Sequence, residues 1–273
     1  MDCFMKMLRT WLTLSVLLAP LVHADDVFQL SGEEITVPVP EGYVRVTEEM
    51  SGVTRVVKQM GDTMNDTLAC YIPAEDEAAA LAGEVPKMER YFVLKVNKQL
   101  RNRMVSQKDF NQFKSITKSQ NDRIFEDVKR KMPGQMQQVS EGLSEEFDMD
   151  LAINLSQMVP LPPHHETDTS MSFSMYINFS GSVASTQMTG AIAATSTFVN
   201  ASGRVLFLYC YAAKPDLEWS RSASKAWTAQ VVASNKPVPS GSSESWLRNL
   251  RGYLGLIALV VGGILVVSKL RSA

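Results

Sequence analysis

The chain has 273 residues, of which 27 are basic, 29 are acidic and 45% are hydrophobic. Without the seven charged residues of its two apolar ends it keeps 21 basic and 28 acidic residues, a formal charge of −7; those seven are Asp2, Lys6, Arg9, Arg248, Arg251, Lys269 and Arg271. That charge opposes contact with phosphate backbones and anionic lipid, which argues against a nucleic-acid or peripheral-membrane role.

The N-terminal residues have the three parts of a secretory signal peptide. Lys6 and Arg9 precede an apolar stretch over 11–22, and Val22 and Ala24 are small residues in front of a cleavage site. The stretch is shorter than the roughly 20 residues of a transmembrane helix. We therefore expect residues 1–24 to be removed, although an uncleaved N-terminal anchor is the alternative.

The first half of the folded region shows short strand and helix patterns. Residues 34–39 alternate as a strand and lead into a turn signal over 38–42, after which 43–46 are predicted to form a return strand. Further predicted elements are a helix over 48–60, a strand over 67–72, an alanine-rich helix over 75–82 and a strand over 90–96.

A long helical region opens at Ser106, where the sequence SQKD resembles a capping box. Apolar residues then recur at helical spacing up to Met132, and Pro133-Gly134 is predicted to interrupt the helix. The apolar stripe resumes beyond the break; its members there are Met136, Val139, Leu143 and Phe147.

The second half is mostly strand. Alternation predicts strands over 151–155 and 170–179, the second with a small polar outer face of serines. Another strand is expected over 190–199, and the continuously apolar 205–211 fits a central strand covered on both faces. A closing helix over 216–235 has an apolar side that consists of Trp219, Ala223, Trp227 and Val231.

A second apolar segment without internal charge follows the domain. Residues 236–251 form a Pro/Ser/Gly-rich linker and juxtamembrane segment, and 252–268 are long enough to span a membrane near the lower limit. With a signal peptide, this predicts an exported domain over 25–235, a single transmembrane helix and a short cytoplasmic tail over 269–273. Ala258 and Gly262 form a small-xxx-small pair that could bring two anchors together.

These patterns predict an α+β domain in which helices cover an antiparallel sheet. The run Gly203–Tyr209, followed by Pro215 and Trp219, resembles the C-terminal half of PsbP-like domains, as does the opening strand with Val37-Pro38 and Glu41-Gly42. The resemblance extends over more than half of the domain and rests on strand order and a few punctuating residues. It implies the α/β/α sandwich of the PsbP/Mog type and a non-catalytic, protein-binding scaffold.

Two cysteines, Cys70 and Cys210, remain in the predicted mature chain, each near the end of an apolar strand. So low a number favours a bacterial periplasmic domain at the inner membrane over a eukaryotic ectodomain, which usually has more bridges. Both cysteines are expected to be buried and structural. A disulfide between them, worth about 2–4 kcal/mol, and two buried thiols are both compatible with the sequence.

The sequence offers few catalytic or metal-binding residues. His164 and His165 are the only histidines of the mature chain, and no Gly-x-Ser-x-Gly, phosphate loop or CxxC occurs, so we expect no enzyme and no cofactor. His164, His165, Glu166 and Asp168 lie near Met171 and Met175, a set that suits zinc or copper. An exposed polar loop is the favoured reading, so no metal site is assigned.

Two functions from different classes fit these observations. The first is a membrane-anchored periplasmic module that binds or assembles an unknown periplasmic or membrane protein. The alternative is a metal- or small-ligand-binding domain that uses the 164–175 region.

Overall fold

The computed structural model describes residues 25–59, 61, 64–119, 121–148, 151–183, 186–238 and 240. The predicted signal peptide, transmembrane segment and tail, with most of the linker, lie outside the described residues. In the part that is described, no helix is long and apolar enough to cross a membrane.

An eight-stranded antiparallel sheet forms the centre of the domain. The described strands are β1 (Asp26–Leu30), β2 (Glu33–Val37), β3 (Tyr43–Arg45), β4 (Asn65–Pro73), β5 (Arg90–Asn97), β6 (Leu151–Pro160), β7 (His165–Glu166), β8 (Ser170–Val183), β9 (Thr186–Ala201) and β10 (Arg204–Ala213). The large sheet has the order β3-β4-β5-β10-β9-β8-β6, with the short β7 paired to β8. Strands β1 and β2 form a separate hairpin.

The α-helices of the described residues are α1 (Ser51–Gln59), α2 (Glu77–Leu81), α3 (Gln107–Ser119), α4 (Asn121–Phe147) and α5 (Leu217–Ala233). The expected α+β class with a large antiparallel sheet is confirmed. The predicted interruption at Pro133-Gly134 is wrong, because α4 runs through Pro133. Beyond the proline, Met136, Val139 and Leu143 remain buried, so packing maintains the helix despite the lost backbone hydrogen bond.

Two hydrophobic cores lie on opposite faces of the sheet. One, beneath α1, α3 and α4, includes Val53, Phe110 and Leu143; the other, beneath α5 and the β1–β2 hairpin, includes Ile35 and Trp227. Strand β10 contributes to both cores, and all of its residues from Arg204 to Ala212 are buried. The prediction of a central strand covered on both faces is therefore confirmed.

The hairpin at the start of the domain differs from the expected one. Strand β2 pairs with β1, which the sequence patterns missed, and β3 pairs with β4. Leu30, Ile35 and Val37 are buried in the same core as Trp227, whose indole N–H donates to the Pro38 carbonyl at 2.9 Å. Arg204 fixes the turn by donating to the Leu30 and Ser31 carbonyls at 3.0 Å each.

Two rows of buried hydroxyl groups join α5 to β8 and β9. In the first, Thr197 Oγ1 lies 2.7 Å from Ser172 Oγ and 2.6 Å from Ser224 Oγ. In the second row, Thr195 Oγ1 lies 2.9 Å from Ser174 Oγ and 2.8 Å from Ser220 Oγ. The predicted polar outer face of β8 is therefore wrong over 170–174, because Ser170, Ser172 and Ser174 are buried and the last two belong to the rows that reach α5.

The other flank of α5 is apolar, as the sequence predicted. Trp227 and Val231 are buried, and Trp219 and Ala223 are half-buried against the same core. The helix thus contacts the sheet through one apolar and one hydroxyl-bearing flank, and both together determine its position.

Helix α1 approaches the segment after α2 so closely that only glycine fits. A Cβ atom on Gly52 would lie 2.4 Å from the Gly83 carbonyl oxygen and 2.9 Å from that of Glu84. This contact holds the start of the segment that leads to Lys87 and Arg90, two residues of the groove described below.

We predict opposite effects for two Gly→Ala substitutions in helices. Gly52→Ala should lower the free energy of unfolding by about 1–3 kcal/mol, because backbone must move to admit the methyl group. Gly134→Ala, where nothing lies within 4 Å of the new Cβ, should raise it by about 0.5–1 kcal/mol through helix propensity. Urea unfolding of a fragment of residues 25–240 measures both, and equal effects would contradict the close approach at Gly52.

Candidate functional site

The two predicted structural cysteines are buried free thiols. Cys70 belongs to the core under α1, α3 and α4, and Cys210 to the core under α5. They also lie two strands apart, because β5 separates β4 from β10. The distance between strands that are two positions apart in a sheet exceeds the roughly 7 Å between Cα atoms that a disulfide tolerates. The bridge that the sequence left open is therefore not formed, and burial raises the pKa of the Cys70 thiol to about 12.

The residues of the 164–175 region do not converge on one point. Glu166 forms ion pairs with Lys114 and Lys118 of α3, at 3.4 and 2.9 Å. Met171 and Met175 are buried in the core on that side. Among the residues that the structure describes, no three His, Cys, Asp or Glu side chains are grouped so that they could hold a metal ion.

His164 lies on the opposite side, at the edge of α5. Its Nδ1 is 3.4 Å from Ser174 Oγ, and burial lowers its pKa to about 4, helped by Arg221 and His165. The contact joins a serine to an imidazole, the pair that nucleophilic enzymes use. Ser174, however, is fully buried and already bonded within its hydroxyl row, so a substrate has no access to it.

A groove of about 770 Å³ lies at one end of the sheet, where three connections meet. They are the turn before β3, the turn after β4 and the segment that enters β5. Gly42, with φ of +79°, allows the first turn, and the Ala74 N–H donates to its carbonyl at 2.9 Å, which fixes the first two connections together.

Tyr43 and Arg90 line this groove, and two further aromatic residues pack against them from behind. Tyr43 packs edge-on against Phe92 at 4.6 Å between ring centroids, and Trp219 lies 6.4 Å from Tyr43. Arg90 stacks on Trp219 at 4.8 Å and donates to the Asp216 carboxylate at 3.1 and 3.3 Å. Burial raises the pKa of Tyr43 to about 12, so its hydroxyl stays protonated at neutral pH.

Three carboxylates and a lysine belong to the rest of the lining. Glu75, Asp76 and Glu89 face the groove together with Lys87 and Arg90, and the last is engaged by Asp216. Burial raises the pKa of the Asp76 carboxyl, and Glu75 and Glu89 raise it further, against a hydrogen bond from the Met88 N–H. Met88 is buried with φ of +35°, an unusual conformation for a side chain of its size.

A second groove, of about 580 Å³, runs between α1 and the outer edge of β4. Its charged side chains are paired within the domain: Arg45 with Asp26, Lys58 with Glu48 and Asp66 with Arg101. The Arg45 guanidinium also reaches the Leu68 carbonyl at 3.4 Å, which covers part of the strand edge. The groove at the sheet end is therefore the better candidate for binding a charged ligand.

Sequence analysis did not find this groove. Its signals in the sequence are a tyrosine directly after the Glu41-Gly42 turn and the acidic run Glu75-Asp76-Glu77, which lies within the predicted alanine-rich helix. Trp219 belongs to the predicted apolar side of the closing helix, and in the structure it is half-buried with Arg90 stacked on it. The three connections are far apart in sequence, so only the strand order brings them together.

No protein-family model matches the sequence, and no curated protein matches it. Among solved structures, the chain is similar to the Ran-binding protein Mog1p of Saccharomyces cerevisiae, with 8% identity and a TM-score of 0.29. The match covers 78% of this chain and 92% of that chain. It is a weak resemblance at the level of the fold and carries no information about function.

We predict that Asp76→Asn stabilises the domain at pH 7. The raised pKa means that the folded state favours the protonated Asp76 carboxyl. Asp76 therefore adds to the free energy of unfolding at pH values below the ordinary carboxyl pKa of 3.8, and this contribution is lost as the pH rises through the raised pKa. Asparagine lacks that pH-dependent loss and can still accept the Met88 N–H. Urea unfolding of the 25–240 fragment should show a small stabilisation at pH 7 that disappears at low pH.

The matched control is Glu49→Gln, which removes an exposed carboxylate outside the groove. It should change stability by less than about 0.5 kcal/mol at either pH. Destabilisation by Asp76→Asn at pH 7 would show that the ionised carboxylate is instead a net stabilising group.

Proposed function

We propose that this chain is a non-catalytic interaction module, anchored in the bacterial inner membrane, whose groove binds a basic segment of a periplasmic or membrane protein. The signal-like N-terminus and the apolar segment over 252–268 support the location. Helices on both faces of the sheet are compatible with the α/β/α arrangement proposed from the resemblance to PsbP-like domains.

The observation that carries the proposal is the combination of side chains around the groove. Tryptophan, tyrosine and arginine are the residue types that contribute most binding energy at protein interfaces. Here Trp219, Tyr43 and Arg90 are held together, half-buried, by ring stacking and by Asp216. Their fixed positions reduce the entropy that a partner would lose on binding.

The charge of the groove indicates what kind of partner fits. Glu75, Asp76 and Glu89 lie close enough to raise the pKa of Asp76, so a cation placed among them relieves their mutual repulsion. A lysine or arginine side chain supplies that cation and an aliphatic stem that can pack on Tyr43. The formal charge of −7 outside the two ends would also speed the approach of a basic partner.

The same residues do not suggest catalysis. Around the groove, the acid–base groups are carboxylates beside Lys87, Arg90 and Tyr43, and no serine, cysteine or histidine is among its lining residues. Binding without chemical change is the simplest use of such a site.

The test measures binding of a short extended peptide with lysine at alternate positions to the full-length chain in nanodiscs, by fluorescence anisotropy. A peptide with glutamine in place of lysine is the matched probe. Glu75→Gln, Asp76→Asn and Glu89→Gln should each weaken binding of the lysine peptide about two- to five-fold, and binding should fall with rising ionic strength.

Glu49→Gln is the control, because it removes one negative charge from an exposed position outside the groove. If it weakens binding as much as the groove variants do, or if both peptides bind equally, the proposed site is wrong.

A further inference from the structure

A broad part of the sheet on the α5 side is not covered by any helix of the described residues. It consists of positions 176, 178, 180 and 182 of β8, of 187, 189 and 191 of β9, and of 152, 154, 157 and 159 of β6, where a register shift between Leu155 and Gln157 interrupts the alternation. These positions share the face of Ser174 and Thr195, which bond to α5, because side chains alternate along a strand and paired residues point the same way. Beyond Tyr176 the face is half-buried or exposed.

None of the eleven described positions on this face holds a charged residue. Since 21% of the chain is charged, and surfaces are usually richer in charge than interiors, two or more would be expected there. The exposed positions hold amides and hydroxyls instead, including Asn154, Gln157, Gln187 and Thr189. Asn178 Nδ2 donates to Gln157 Oε1 at 3.3 Å, which aligns two amides across neighbouring strands.

This composition does not fit a typical protein interface. Such interfaces are enriched in Tyr, Trp, Phe, Met and Arg at their centre and depleted in Ser and Ala, whereas this face has Tyr176 as its single described ring. Amides and hydroxyls both donate and accept hydrogen bonds, as the hydroxyl groups of a sugar do. A flat array of them beside one aromatic ring therefore matches a carbohydrate.

One border of the face is basic. Arg221 Nε lies 3.3 Å from Ser174 Oγ, and the Lys214 ammonium lies 5.6 Å from the centre of the Tyr176 ring. Arg221 Nη1 also pairs with Glu218 at 2.9 Å, and because the Glu218 side chain is 80% exposed the pair adds little stability, so a ligand carboxylate can compete with Glu218 for the guanidinium. An acidic group on the carbohydrate would find its counter-charge at this border.

We propose that the uncharged face of β6, β8 and β9 binds a glycan chain, with Arg221 at its border pairing with a carboxylate of that chain. This face lies on other strands than the groove at the sheet end, so the two sites can be tested independently.

The experiment uses the full-length chain in nanodiscs and two probes, hyaluronan octasaccharide, which has carboxylates, and the neutral chitohexaose. Isothermal titration calorimetry should detect both, with the acidic probe bound more tightly. The double variant Asn178→Ala, Gln157→Ala should weaken both about five-fold or more, because it removes two amides from the face.

Arg221→Gln should weaken binding of the acidic probe and leave binding of the neutral probe unchanged. The matched controls are Gln112→Ala, an exposed amide on α3, and Lys225→Gln, an exposed cation on α5, and neither should change binding of either probe. Failure of both probes to bind at about 1 mM, or equal losses in the controls, would overturn the proposal.

Discussion

The position of α5 depends on hydroxyl groups that hydrogen-bond across the interior. Thr197 and Thr195 each join a serine of β8 to a serine of the helix, and all of these residues are buried. A neutral hydrogen bond adds only about 1 kcal/mol, but a buried hydroxyl without a partner costs about 1–3 kcal/mol. The rows therefore act mainly by excluding other placements of α5, since a helix shifted along its axis would leave several hydroxyls unpaired. Both proposed sites depend on that placement, because α5 carries Trp219 to one and Arg221 to the other.

In contrast to the hydroxyl rows, the arrangement of side chains in the groove at the sheet end lowers local stability. Three carboxylates line it together with Lys87 and Arg90, and Asp216 binds the Arg90 guanidinium. The raised pKa of Asp76 and the positive φ of Met88 both indicate local cost, and proteins tolerate such cost mainly where a site needs it. A basic partner would relieve the repulsion on binding.

Much of the fold follows from the sequence, because periodicity reports which side of an element is buried. The central strand over 205–211 and the apolar side of α5 were predicted for this reason. Pairing partners were harder: residues 34–39 and 43–46 look like a hairpin, yet β2 pairs with β1. The burial of serine residues was also hard to predict, because a polar side chain usually indicates an exposed position. On α5, Ser220, Ser224 and Thr228 recur at four-residue spacing and are all buried. The groove was beyond sequence analysis, since register alone brings Tyr43, Asp76 and Arg90 together.

A double-mutant cycle tests most directly whether the hydroxyl rows determine the position of α5. Thr197→Val and Ser224→Ala, alone and together, would be measured by urea unfolding of the 25–240 fragment. Because the two hydroxyls lie 2.6 Å apart, we predict a coupling energy of about 0.5–1.5 kcal/mol. The matched cycle of Thr197→Val with Ser220→Ala, which belongs to the other row, should be additive within about 0.5 kcal/mol. Additivity in the first cycle, or equal coupling in both, would contradict the account.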